Sequence, residues 1–117
     1  MAARVLIVDD DPGTREGLAE LLESAGYETI AADGFEFARW VLNTEPPDLL
    51  ITDIRLGEYN GLHLIITGLA AVPAIVISGF TDPVLRSKAE ELGATYLTKP
   101  LTASAVLDLV SHKTTQH

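Results

Sequence analysis

Acidic side chains, a hydroxyl and a lysine stand at the ends of short apolar runs in this chain of 117 residues. Asp9 and Asp10 follow the first run, Asp53 ends another, and Ser78 and Lys99 come at the ends of two more. Clustered carboxylates repel one another, and Mg²⁺ is a cation that such oxygen-rich groups commonly bind. A carboxylate that attacks phosphorus needs its charge neutralised and the phosphoryl oxygens held, which Mg²⁺, a lysine and a hydroxyl provide together. These residue types therefore indicate phosphoryl transfer.

The apolar runs themselves predict the sheet that must position these groups. Runs rich in Val and Ile alternate with longer amphipathic stretches, which is typical of βα units winding a parallel sheet. We predict strands near residues 4–9, 28–32, 48–53, 73–78 and 94–98. The first, third and fourth are apolar on both faces and should be central, while the second and fifth should lie at or near the edges. Because the carboxyl ends of such strands converge on one crevice, Asp53, the acid that ends the most buried strand, is the predicted nucleophile.

Helices are predicted between the strands. The first begins at Asp11-Pro12, a capping residue followed by proline, and ends at Gly26. We interpret Asp11 as a helix cap only and leave it out of the site. The other helices are predicted near residues 34–44, 60–70, 82–92 and 102–113. The third is almost uncharged and contains Gly68, so its helix propensity is weak.

Length and composition limit the classes of function. A chain that is 47% hydrophobic and 21% charged is expected to form one domain over residues 1–117. With no cysteine, any metal is held by oxygen or histidine. A net charge of -9 argues against direct binding of nucleic acid. No apolar run could span a bilayer and the start is too short for a signal peptide, so we expect a cytoplasmic protein without a membrane partner.

Four groups of residues, taken in order, resemble a known family. They are Val8-Asp9-Asp10-Asp11-Pro12, then Leu50 to Leu56 followed by Asn60-Gly61, then Ile75 to Gly79, and finally Tyr96-Leu97-Thr98-Lys99-Pro100. This combination resembles the response-regulator receiver domains of two-component signalling. The resemblance covers essentially the whole chain and implies a flavodoxin-like α/β fold: a doubly wound, five-stranded parallel sheet of (βα)5 type, with strand order 2-1-3-4-5.

The resemblance also implies a role for each matched residue. Asp53 would accept the phosphoryl group and ligate Mg²⁺. Asp10 would ligate the ion directly, Asp9 through a water, and Arg55 through its backbone carbonyl. Ser78 and Lys99 would bind the phosphoryl oxygens.

Two further features carry over from the family. Tyr96 resembles the aromatic residue that turns inward on activation, although an edge-strand tyrosine with its hydroxyl in water is an equally open interpretation. Lys99-Pro100 resembles the family's cis peptide. The implied partners are a sensor histidine kinase or phosphotransfer protein and an unidentified output domain or target, and a homodimer is left open. The chain would catalyse its own phosphorylation and dephosphorylation without being a dedicated enzyme.

The sequence departs from the family's common pattern in several places. Gly57 stands where a proline is common, Asn60 replaces a frequent aspartate, and Ser78-Gly79 replaces a common threonine-alanine pair. The stretch from Asp53 to Ser78 is about one helical turn short. These departures leave open the shape of the loop after Asp53 and the length of the third helix.

Two other functions remain as alternatives. An aspartate-nucleophile phosphohydrolase of the haloacid-dehalogenase type would use similar groups, but its Asp-x-Asp-x-Thr/Val pattern and late acidic pair are missing, since only Asp108 follows Lys99. A receiver-like interaction module without phosphorylation would be favoured by loss of Asp10, Asp53 or Lys99, and none is lost.

The aromatic residues and histidines outside the four matched groups have simpler interpretations. Trp40, with Phe37 and Val41, is predicted to pack in the core or at its rim. The three histidines, His63, His112 and His117, are scattered, and their spacing suggests no metal pair.

Overall fold

The computed structural model describes residues 2–67 and 72–115, and its centre is a five-stranded parallel sheet. Its strands are β1 (Arg4–Val8), β2 (Glu28–Ala32), β3 (Leu49–Asp53), β6 (Ala74–Ser78) and β7 (Thr95–Thr98). Their order is β2-β1-β3-β6-β7, which confirms the predicted order 2-1-3-4-5 when the five strands are counted along the chain. β6 is buried throughout, whereas β2 and β7 are partly exposed. The predicted central and edge positions are therefore confirmed.

Five helices cover the sheet in the described part of the chain. They are α1 (Pro12–Ser24), α2 (Phe35–Thr44), α3 (Gly61–Thr67), α4 (Pro83–Glu91) and α5 (Ala103–Thr115). Asp11 caps α1 as predicted, since its carboxylate accepts the Thr14 backbone N–H at 2.9 Å. The end predicted for the third helix, with Gly68, lies outside the described residues. Among the described residues, no helix has the length and apolar character needed to cross a membrane.

The core consists of two apolar clusters, one on each face of the sheet. Leu6, Leu50 and Val76 point to the face covered by α2, α3 and α4. Ile7 and Ile51 point to the opposite face, which α1 and α5 cover. This alternation is the period of two that a strand imposes on successive side chains. It explains why the central strands are apolar on both faces.

A small hairpin after β3 was not predicted. It pairs β4 (Arg55–Leu56) with β5 (Tyr59–Asn60) across a loop of two residues. Gly57, the first loop residue, has a φ of +62°, a conformation closed to proline, and this is the residue pattern of a type II′ turn. The glycine at this position therefore follows from the hairpin.

The aromatic residues of α2 are divided between core and surface. Val41 is buried, in agreement with the core interpretation. Phe37 and Trp40 are 45% and 58% exposed, and their rings stack on each other with centroids 5.9 Å apart. Neither ring is therefore in the core, and of the two predicted positions only the rim remains for these residues. The buried side of the helix is taken by Phe35, Ala38, Val41 and Leu42, which leaves Phe37 and Trp40 facing solvent.

Candidate functional site

Three carboxylates meet where β1 and β3 end. Val8 of β1 is in register with Thr52 of β3, so the residues that follow them, Asp9 and Asp53, are neighbours across the two strands. One carboxylate oxygen each from Asp9, Asp10 and Asp53 lies within 4.8 Å of the others. Asp9 is buried, Asp53 is half-buried and Asp10 is exposed. The sheet therefore brings together the three acids that were predicted to form a metal site.

Burial and mutual repulsion act on this acidic cluster. Burial is the main cause that raises the pKa of Asp53 above its ordinary value, and the charge of Asp9 raises it further. Burial likewise raises the pKa of Asp9, while the Asp11 backbone N–H, which donates to Asp9 Oδ1 at 2.9 Å, opposes this effect. An all-carboxylate set with this repulsion fits a hard divalent cation such as Mg²⁺.

Lys99 supplies positive charge to the same cluster. It directly follows β7, and its charge lowers the pKa of both Asp9 and Asp53. Its backbone N–H donates to the Ser78 carbonyl at 2.8 Å, and the peptide bond from Lys99 to Pro100 is cis, as the family resemblance implied. The charge of Lys99 thus acts on the Asp53 carboxylate from another strand end of the same sheet.

Ser78 lies at the same edge of the sheet but makes a different contact. Its side chain is fully buried at the end of β6. The hydroxyl donates to the Phe80 carbonyl at 2.9 Å, so in this arrangement its proton is directed at the backbone of the following loop.

Tyr96 is buried, and its hydroxyl also has a protein partner. The residue is 5% exposed, and Oη donates to the Phe80 carbonyl at 3.0 Å. Tyr96 does lie on the edge strand β7, but the interpretation in which its hydroxyl points into water is wrong. The switch role of Tyr96 stays a prediction.

The main chain of Arg55, rather than its side chain, lies beside Asp53. Its backbone N–H faces the Asp53 carboxylate and lowers the pKa of that group. Its guanidinium group lies over the Phe80 ring, 4.8 Å from the centroid. The main chain of Arg55 is thus beside Asp53, while its side chain reaches across to the loop after β6.

Sequence reasoning missed three residues that hold the acidic loops in place. Arg15 on α1 donates from Nη1 to the Asp9 carbonyl at 2.8 Å. Thr52 is fully buried, and Oγ1 donates to the Asp53 carbonyl at 3.0 Å. Gly61 packs directly against Thr52 and Asp53. The Asn60-Gly61 pair and the one polar position inside the apolar run of β3 were visible signals.

Comparison with known proteins identifies the family. The family described as "Response regulator receiver domain" matches residues 5–111. The response regulator protein FleR of Pseudomonas aeruginosa is 37% identical over 115 residues, which cover 95% of this chain and 24% of FleR. The transcriptional regulatory protein PdtaR of Mycobacterium tuberculosis is 32% identical over 112 residues, 92% of this chain and 54% of PdtaR. This chain therefore spans between about a quarter and about half of these two relatives.

Solved structures show the same fold. A CheY-like response regulator receiver domain protein from Methanospirillum hungatei superposes with a TM-score of 0.91 at 24% identity, covering 97% of this chain and 94% of that one. The non-phosphorylated HemR receiver domain of Leptospira biflexa superposes with a TM-score of 0.88 at 26% identity, covering 98% and 96%. The strand order, the acidic cluster at the strand ends and the family match over residues 5–111 all indicate the same family. This chain belongs to the response regulator receiver domain family.

Proposed function

We propose that this receiver domain is a signalling switch that takes a phosphoryl group from a sensor histidine kinase or a phosphotransfer protein onto Asp53. The observation that carries the proposal is the cluster of Asp9, Asp10 and Asp53 at the strand ends, with the charge of Lys99 acting on the same carboxylates. A carboxylate oxygen of Asp53 attacks the phosphorus atom, the bond to the donor histidine nitrogen breaks, and that nitrogen keeps the electron pair.

The other site residues would neutralise or bind the negative charge that is present during this step. Asp10, Asp53 and the Arg55 carbonyl would hold Mg²⁺ directly and Asp9 would hold it through a water, and the ion would neutralise charge on the acceptor and the phosphoryl oxygens. Lys99 adds a second positive charge, and the Ser78 hydroxyl is a donor for a phosphoryl oxygen. Burial, and to a smaller extent the neighbouring carboxylates, raise the pKa of Asp9 and Asp53, so a cation that neutralises these groups is favoured.

Loss of the phosphoryl group needs only water. A water oxygen attacks the phosphorus, the bond to the Asp53 carboxylate breaks, and inorganic phosphate leaves. The domain would therefore catalyse both its own phosphorylation and its own dephosphorylation once per signalling cycle. Steady turnover of phosphate esters, as expected of a haloacid-dehalogenase type phosphohydrolase, would contradict this function.

The wider setting is also part of the proposal. We infer that residues 1–117 form one receiver domain, acting in the cytoplasm on an output domain or target protein that is still unidentified. A homodimer is one form that the output could take. An interaction module without phosphorylation is disfavoured because Asp10, Asp53 and Lys99 are all present, the two carboxylates cluster and the charge of Lys99 acts on Asp53.

Intact-mass measurement after incubation with acetyl phosphate and Mg²⁺ tests the proposal. The wild-type chain should gain one phosphoryl group, and Asp53→Asn should gain none. Asp33→Asn is the matched control, because Asp33 directly follows the edge strand β2 and lies outside the cluster. Labelling of Asp53→Asn equal to that of the wild type, or labelling that survives an excess of chelator, would overturn the assignment.

A further inference from the structure

The backbone of Phe80 is the common partner of two hydroxyl groups in the described structure. Its carbonyl accepts a hydrogen bond from Ser78 Oγ at 2.9 Å and another from Tyr96 Oη at 3.0 Å. Its N–H also faces Ser78 Oγ, at 3.3 Å. The Phe80 carbonyl is therefore the shared acceptor of both hydroxyls, and its position determines where they point.

The side chain of Phe80 is fixed by a residue from the other side of the site. The Arg55 guanidinium lies over the ring, 4.8 Å from its centroid. The Ile54 backbone N–H donates to the Ile77 carbonyl at 2.8 Å, so the segments leaving β3 and β6 run side by side. The contact between Arg55 and Phe80 joins these two segments just beyond Asp53 and Ser78.

The Ser78 hydroxyl carries a single proton and can donate it to only one acceptor at a time. When it donates to the Phe80 carbonyl, it does not donate to an oxygen at Asp53. Any interaction that holds the Phe80 carbonyl in place therefore stabilises the arrangement in which the Ser78 hydroxyl donates to that carbonyl and not to an oxygen at Asp53. A ligand that needs the Ser78 proton must compete with that arrangement.

We propose that Arg55 and Phe80 are positioning residues that restrain Ser78, holding its hydroxyl on the Phe80 carbonyl until a phosphoryl group binds at the acceptor. The inference rests on the proposed function of Asp53. Weakening the contact between the two side chains releases the Phe80 peptide, frees Ser78 and makes a phosphoryl mimic bind more tightly. A cation–π contact at a surface corresponds to a factor of about two to five in an equilibrium constant.

The main test variant is Phe80→Leu, which removes the ring and keeps the charge of Arg55. Arg55→Lys is the second variant, because it keeps a positive charge but loses the flat guanidinium group. Phe37→Leu is the matched control, since Phe37 is 45% exposed and Phe80 is 38% exposed, and Phe37 stacks on Trp40 of the same helix. The measurement is the Kd of beryllofluoride with Mg²⁺ by calorimetry.

We expect Kd to fall about two- to fivefold in Phe80→Leu and Arg55→Lys and to stay unchanged in Phe37→Leu. In the metal-free protein, the amide of Phe80 should exchange with solvent faster in both site variants, because its contact with Ser78 Oγ is loosened. Unchanged or weaker beryllofluoride binding in Phe80→Leu would overturn the inference.

A double-mutant cycle separates action through Ser78 from direct action on the ligand. In a Ser78→Ala background, Phe80→Leu should no longer tighten binding, because the restrained hydroxyl is gone. Tightening of the same size in that background would mean that Arg55 or Phe80 acts on the bound group directly, and the inference would be wrong. Failure of the wild-type chain to bind beryllofluoride at all would overturn the proposed function itself.

Discussion

Gly61 lies directly against the peptide of Asp53. A Cβ atom at Gly61 would collide with the Asp53 carbonyl oxygen and would come within 2.8 Å of Thr52 Oγ1. The Gly61 backbone N–H donates to the Ile54 carbonyl at 2.8 Å, so the start of α3 is bound to the segment after Asp53. The absence of a side chain at Gly61 is therefore a condition for the position of Asp53.

We predict that Gly61→Ala lowers the free energy of unfolding by about 1–3 kcal/mol, the usual cost of forcing an extra carbon into a packed site. The same variant should slow labelling of Asp53, because the carbonyl that must move belongs to the acceptor. Chemical denaturation and intact mass measure the two effects. Gly17→Ala is the control: a Cβ at Gly17 meets nothing within 4 Å, so this change inside α1 should stabilise by about 0.5–1 kcal/mol. A fully stable Gly61→Ala would contradict the close approach.

The stability of the metal-free domain should depend on the charge of Asp53. Because the pKa of Asp53 is raised in the folded state, folding opposes its ionisation, and stability is lost as pH rises through the raised pKa. Asp53→Asn should be more stable than the wild type at neutral pH by about 1 kcal/mol or less, since a half-buried carboxylate is partly screened by solvent.

This difference in stability should disappear on acidification. Below the ordinary value of 3.8 the wild-type carboxylate is protonated in both the folded and the unfolded state, so the advantage of the asparagine is lost. Thermal unfolding from acidic to neutral pH without metal measures this. An advantage for Asp53→Asn that grows as the pH falls would show that the sign is wrong.

The positions of the candidate site residues could be predicted because they depend on local sequence and a simple geometric rule. Asp9, Asp53 and Ser78 each follow or end an apolar run long enough to form a strand, and parallel strands place such residues at one edge. The cap at Asp11 is local in the same way. None of these assignments needs information about distant contacts.

The features that escaped prediction depend on contacts between distant segments. The β4–β5 hairpin is fixed partly by the stack of Tyr59 on Phe35, whose ring centroids are 4.3 Å apart. The exposure of Trp40 depends on which side of α2 faces the sheet. The contact of Arg55 with Phe80 joins segments 25 residues apart, counted from 55 to 80. Local propensity carries no information on these pairings.

Mg²⁺ should stabilise the unphosphorylated domain only through an intact acidic cluster. At a concentration ten times the Kd, one bound ion adds about 1.4 kcal/mol to the free energy of unfolding. Asp10→Ala should abolish this gain, because one of the three carboxylates within 4.8 Å of one another is removed. Thermal unfolding with and without Mg²⁺ measures the effect, with Asp33→Asn as the control that keeps the gain. Equal stabilisation of Asp10→Ala by Mg²⁺ would place the ion elsewhere.

The Ser78 hydroxyl should connect the acceptor to the surface formed by α4 and β7. Ser78 ends β6, and α4 and β7 follow it in the chain. Its hydroxyl and that of Tyr96, a residue of β7, both donate to the Phe80 carbonyl. A shift of the Ser78 hydroxyl toward a phosphoryl oxygen would therefore change the hydrogen bonding around Tyr96. Ser78→Ala should still be labelled at Asp53, but more slowly, since the new charge meets one donor fewer.

In Ser78→Ala the surface formed by α4 and β7 should respond more weakly to the bound group. Coupling between two sites is typically about 1–3 kcal/mol, and loss of the hydroxyl should reduce it. Amide NMR spectra with and without beryllofluoride report the response of residues 80–98. In the wild type these amides should shift together with those beside Asp53. In Ser78→Ala the shifts beside Asp53 should persist while those of the surface formed by α4 and β7 shrink. Identical shifts over residues 80–98 in the two proteins would show that the hydroxyl does not transmit the signal.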